Sequence, residues 1–293
     1  MTSMTSSSNR QPQSATVDWL IAVTMIVAPL CMGGRHPMGR LLFVALMGLV
    51  AVTWFWQQFA LERRSWRLTG VEWLAFAAMG ILLLQLIPWP SDWLLRLSPE
   101  LGRRLPLLFG ATHESLRLEP WSHISLDPVA TRRALTMCAA YSLWFLVLAQ
   151  RLRSVDDVER VLRWVAVSAV LMAVVGLAQY AVGNGNFLWV YSHPTRTTSG
   201  VVRGAFLNQN HFAHMMALGI GPLLWWLVRH ARRDEVTLRR GWGRAPTTFG
   251  STGWLATALG ITVIAGLLTF SRAGLAVMAV AAILSVGLFA ARG

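Results

Sequence analysis

Lysine is absent from this 293-residue chain, and all 26 of its basic side chains are arginine. Charge of either sign is scarce, at 13% of residues, against about 25% in a soluble domain. Long stretches carry almost none, and the arginines crowd between them. A bilayer demands that block pattern, because one charge at its centre costs roughly 2.5–3.5 kcal/mol on insertion scales. Cysteine is nearly missing as well. Cys31 and Cys138 lie in or beside apolar runs, neither has a second cysteine at metal-ligand spacing, and both read as small buried hydrophobes. No Walker loop, HExxH or GxSxG motif occurs, which leaves no nucleotide, zinc-protease or serine-hydrolase signature. Short stretches of alternating polarity are missing, which removes a transmembrane β-barrel. Near the N-terminus no small-residue cleavage site follows a short apolar core, so a cleaved signal is not expected.

What is present is apolar: 55% of residues are hydrophobic, and the mean hydropathy is +0.49. Eight apolar segments can be marked: Val17–Gly34, Leu41–Ala60, Val71–Trp89, Ala134–Ala149, Trp164–Val182, Phe212–Val228, Trp254–Phe270 and Ala273–Ala291. Most approach the ~17–25 residues a helix needs to cross the hydrocarbon, and the shorter ones can extend into their flanks. The expected fold is therefore all-α, a polytopic bundle of about eight transmembrane helices. Residues 1–16 read as a disordered cytoplasmic tail and 17–293 as a single transmembrane domain. An N-terminus in the cytoplasm puts fifteen arginines inside, including those of the 229–252 loop, and eleven outside. Six of the outer ones lie in one long segment, Pro90–Arg133, so the short outer loops are poor in positive charge. That segment, with Trp89, Trp93, Leu94, Leu95, Leu97, Arg96, Arg103 and Arg104, reads either as a helix in the headgroup plane or as a surface linker.

The net charge of +13 invites a nucleic-acid reading. It fails, because most arginines flank apolar runs, where lipid headgroups explain them. Many of the 15 tryptophans gather near segment ends, as in an interfacial belt, rather than interleaving with charge along a groove. Helix starts agree with the map. Asp127-Pro128 is a capping acid before proline, and Ser154-Val155-Asp156-Asp157 has the form of a capping box.

Two places can carry chemistry. Gly200–Ala213, reading GVVRGAFLNQNHFA, puts Arg203, Asn208, Asn210 and His211 at the outer mouth of the sixth segment. Free backbone N–H groups and the positive dipole end of a helix meet there, which suits a phosphate; an ordinary polar helix start would look the same. Ser271-Arg272-Ala273-Gly274 joins segments seven and eight, and Arg272 is the lone charge in roughly forty apolar residues. It either snorkels to headgroups or acts with Arg203, and two such forks on the outer face could clamp a pyrophosphate. His211 and His214 share a helix face, but no acidic or cysteine third ligand is nearby, so no metal is expected. Arg35 and His36 form an outer loop of unassigned role.

The stretch from Arg203 to Ala213 resembles the hallmark of the O-antigen ligase and polymerase superfamily. Ser271-Arg272-Ala273-Gly274 resembles that family's second marker, and Ser125–Thr131 is similar to a stretch in many members. The likeness covers most of the chain from about Pro88 onward. It implies a metal-independent, cofactor-free ligase of the bacterial inner membrane. Such an enzyme moves a glycan from undecaprenyl pyrophosphate to an acceptor hydroxyl, on lipid A–core or another glycan, at the periplasmic face. Arg203 and Arg272 would hold the pyrophosphate, with Asn208 and Asn210 near it. Family members carry about twelve helices and a histidine-bearing periplasmic loop beyond the Ser-Arg-x-Gly hairpin, and this sequence ends at Gly293 before such a loop. The expectation is an N-terminal portion without its base, for which His211 is the nearest substitute. A polymerase of the same superfamily, or a transporter or lipid-binding protein without catalysis, are the competing readings. No Gly/Pro-broken segments recur in the two halves as a transporter's repeats would.

Overall fold

A computed structural model describes residues 12–32, 36–60, 66–101, 103, 122–239 and 251–291. The tail before Pro12, Arg35, most of the 90–133 segment beyond Leu101 and residues 240–250 of the 229–252 loop lie outside the described residues. Among the described residues the secondary structure is helical, with three isolated β-bridges and no strand. The helices are α1 (Pro12–Leu30), α2 (Pro37–Ala60), α3 (Val71–Leu86), α4 (Ser91–Leu97), α5 (Pro128–Arg151), α6 (Val155–Val182), α7 (Gln209–Arg239), α8 (Ser251–Leu267) and α9 (Arg272–Ala290).

Five of these are long and apolar enough to cross a membrane: α2, α5, α6, α7 over Gln209–Glu235, and α9. Shorter apolar helices occupy the other three apolar segments, over Ala15–Leu30, Val71–Leu86 and Thr252–Leu267. Each segment of the sequence map thus holds one helix. The helices run past the apolar runs because capping, not hydropathy, sets their starts. The α5 helix opens where Asp127 Oδ1 accepts the Ala130 N–H at 2.9 Å. The Ser154 hydroxyl and the Asp157 carboxylate bond each other's backbone N–H groups, a full capping box at the head of α6. The α1 helix begins at Pro12, ahead of Val17.

The chain divides into two compact units, residues 58–150 and the remainder. In the first, the Gln150 side chain accepts from the Arg67 N–H at 2.9 Å and donates to the Arg67 carbonyl at 2.6 Å. Trp89 N–H donates to Ser122 at 2.7 Å, and Ser125 N–H to Gln85 at 3.2 Å, tying the flanks of α3 and α5. Of the expected headgroup-plane helix the seven-residue α4 is described, with Leu94 buried and Trp93, Leu95 and Leu97 exposed.

In the second unit α7 is the hub, packing on α6, α8 and α9, while α1 packs on α6. Its core joins Met172 and Ala173 of α6 with Val202, Ala205, Phe212, Met216, Ala217, Ile220, Ala265 and Met278. Small residues let the backbones close in: Gly219 abuts Ala169, and Gly274 abuts Ala213. Outward faces remain apolar, as on α9, where Val280, Ile283, Leu284, Val286 and Leu288 are exposed. That is the inverse of a soluble helix and suits lipid as solvent.

Candidate functional site

Alternation of α6, α7, α8 and α9 gives the second unit two ends. At one, the start of α6 meets the start of α1 and the end of α7, through Asp18–Arg160 and Glu159–Arg229 ion pairs. At the other, the end of α6 leads through residues 183–208 into α7. There Val202 N–H donates to the Leu268 carbonyl at 3.0 Å, pinning the loop to the end of α8. Gly274 against Ala213 sets the start of α9 on the start of α7. Arg203 and Arg272 therefore belong to the same end.

Arg203 sits in the loop just before α7, half-buried. Its Nη2 reaches Gln209 Oε1 at 3.5 Å, and its Nε is buried without a hydrogen-bond partner. Burial pushes its guanidinium below the ordinary arginine value, and the nearby charge of Arg196 pushes the same way. It still carries its charge at neutral pH, since guanidinium does not lose a proton in proteins. The loop can hold this shape because Gly204 has φ +52°, and a Cβ there would meet the Phe212 ring at 2.8 Å. Arg272 is the first residue of α9, exposed, and bonded to no described residue. Its turn is fixed by Ser271, whose Oγ accepts the Gly274 N–H at 2.9 Å, and by Thr269, whose Oγ1 accepts the Ser271 N–H at 3.3 Å.

Asn208 caps the start of α7 by accepting the Asn210 N–H at 2.9 Å, and Asn210 is half-buried in the first turn. Asn208 and His211 line an open groove of about 450 Å³ with Met32, Phe206, Leu207, His214, Met215 and Leu218. Arg203, Arg272 and Asn210 do not line it. The rings of His211 and His214 meet edge to face at 6.4 Å. Among the described residues no group of three His, Cys, Asp or Glu side chains is placed to hold a metal ion.

Charge separates the two ends more sharply than any single contact. No Asp or Glu occurs between Arg160 and Arg233, nor from Asp18 to Glu62, nor beyond Glu235. Every carboxylate of the second unit therefore falls near the starts of α1 and α6 or the end of α7. Within the second unit, the end carrying Arg196, Arg203 and Arg272 has donors and no carboxylate of that unit to answer them. An arrangement of that kind offers donors that an anion can complete.

Sequence reasoning missed part of this end. Met32 enters the groove from just beyond α1, and His36 packs on Tyr191, with centroids 5.0 Å apart, across more than a hundred residues of sequence. Asn184 and Gly185 supply a stop for α6, but residue type there says nothing about which rings the following loop gathers. No protein-family model, no curated protein and no solved structure matches the chain.

Proposed function

We propose that this chain is an O-antigen-ligase-like glycan transferase, or the donor-binding portion of one, in the bacterial inner membrane. In this reading about eight helices cross the bilayer, with the N-terminus in the cytoplasm and the end of the second unit that carries Arg203 and Arg272 at the periplasmic face. The three 16-residue apolar helices span about 24 Å at 1.5 Å per residue and need only a turn of flank each to cross. Arginine excess at the ion-paired end supports the orientation through the positive-inside preference.

The observation that carries the reading is the Nε of Arg203, buried without a partner among the described residues, at an end to which the second unit brings no acid. A desolvated guanidinium fork is costly unless an anion completes it. The anion is the pyrophosphate of an undecaprenyl-linked glycan. As the acceptor hydroxyl attacks the anomeric carbon, the glycosyl–phosphate bond breaks and negative charge grows on the departing pyrophosphate. Arg203 and Arg272 stabilise that charge where it develops, and Asn208 and Asn210 at the head of α7 add neutral donors. The acceptor's proton must pass to a base; His211, exposed in the groove, is the candidate within this chain. Neither a metal nor a cofactor enters this chemistry.

The test is binding of undecaprenyl diphosphate, against undecaprenol, to the chain in nanodiscs. The diphosphate should bind at least about tenfold tighter, and Arg203→Lys or Arg272→Lys should remove most of that preference, because a point charge does not replace a bidentate fork. Equal binding of both lipids would end the proposal. In membranes, product formed only when lipid A–core is supplied marks a ligase, and product formed from the lipid-linked glycan alone marks a polymerase.

A further inference from the structure

The 183–198 loop carries features that pyrophosphate binding does not use. Leu188 and Trp189 both have positive φ, 50° and 62°, a region that non-glycine residues seldom enter. The loop is held there from several sides. Phe187 and Tyr191 exchange backbone hydrogen bonds of 2.8 and 2.9 Å, and Asn184 Nδ2 donates to the Trp189 carbonyl at 3.1 Å. Trp189 Nε1 donates to Val182 at 3.2 Å, and the buried Gln179 donates to Asn186 at 2.7 Å.

The rigid loop assembles a ring cluster. Tyr191 packs edge to face on His36 at 5.0 Å and on His193 at 6.2 Å, over a buried Phe187 that lies 6.3 Å from His193. Both imidazoles use the same ring nitrogen as an acceptor. His36 Nδ1 accepts the Met38 N–H at 3.3 Å, and His193 Nδ1 accepts the Thr195 N–H at 3.2 Å. In the neutral ring each proton therefore resides on Nε2, which is left as a donor. Arg196, bridged to His193 through the backbone, is exposed and commits one N–H to the Leu207 carbonyl at 3.2 Å, with the rest of its fork open among the described residues. Its charge is felt at Arg203, so the two arginines are electrostatic neighbours.

We propose that His36, Tyr191, His193 and Arg196 form a subsite for an acidic sugar unit, a ring bearing a carboxylate or a phosphate, beside the pyrophosphate-binding arginines. This rests on the glycan-transfer reading for its physiological ligand. Aromatic rings take the C–H face of a pyranose, while two Nε2–H donors and an arginine fork take the acid. A neutral sugar would leave those donors without a carboxylate or phosphate to answer them.

The experiment uses the full chain in phosphatidylcholine nanodiscs with a galacturonate trimer and its fully methyl-esterified twin as probes. The acid should bind at least about tenfold tighter than the ester. Arg196→Gln should erase that difference, Arg196→Lys should retain part of it, and Tyr191→Leu should weaken both probes. Ser154→Ala, at the ion-paired end, should leave trimer binding within about twofold. Equal affinity for acid and ester, indifference to Arg196→Gln, or an equal loss of trimer binding in Ser154→Ala would each overturn the subsite. So would displacement of the trimer by phosphatidylglycerol in the disc, which would make the cluster a headgroup site. Undecaprenyl diphosphate binding, measured on the same discs, reports separately on the Arg203–Arg272 reading.

Discussion

Both ends of the second unit are rich in arginine, yet they treat it in opposite ways. At the starts of α1 and α6, Asp18 lies 2.7 Å from Arg151 and 2.5 Å from Arg160. Glu159 pairs with Arg229 and lies 3.6 Å from Arg163, whose guanidinium sits over the Trp225 and Trp226 rings at 5.9 and 6.0 Å. At the other end Arg196, Arg203 and Arg272 meet carbonyls, an amide or nothing. Arginine answered by carboxylate and indole ties helices together; arginine without an acid keeps donors uncommitted. The difference lies in where the acids of the second unit fall.

The comparison breaks most readily at the open end. Replacing Arg203 with Gln should lower affinity for a prenyl diphosphate by about 10- to 100-fold, the scale of losing charge-assisted hydrogen bonds, while thermal unfolding in detergent changes little. An Arg203→Gln chain that bound the diphosphate normally would make the two ends equivalent.

Next in size is the paired end. Asp18→Asn removes the acid shared by two partly buried arginines and should cost about 1–3 kcal/mol of stability, seen as a lower unfolding midpoint. Diphosphate affinity should stay within about twofold. A fall in affinity as large as that of Arg203→Gln would show that the ends are not independent.

Gly274→Ala sharpens the comparison, because it touches both stability and site. The added Cβ collides with Ala213 and must push α9 off α7, at a cost of about 1–3 kcal/mol, and it moves Arg272 as it does so. Stability and diphosphate affinity should therefore fall together in this variant and separately in the other two. Smallest is Ser154→Ala, which removes half a capping box at the paired end and should cost about 1 kcal/mol with no change in binding.

Much of this was legible in the residue order. The apolar runs each hold a helix, and the caps at Asp127 and Ser154 are where residue type placed them. Gathering Arg203 and Arg272 at one end follows from counting turns between segments. The groove was not legible, because Met32, just past α1, and His211, in α7, lie far apart in sequence. Nor was the His36–Tyr191 contact, since no local period records which loop will lie beside which.

By itself, then, the sequence determined where helices start, how apolar they are and which stretches contain no acid, since propensity, capping and desolvation act over a few neighbouring residues. Tertiary structure alone decided which arginines are spent on ion pairs and which are kept open, because that depends on which helix ends meet. Asp18 finds Arg151 and Arg160 only when α1 lies along α6, and the same packing carries no carboxylate to the opposite end.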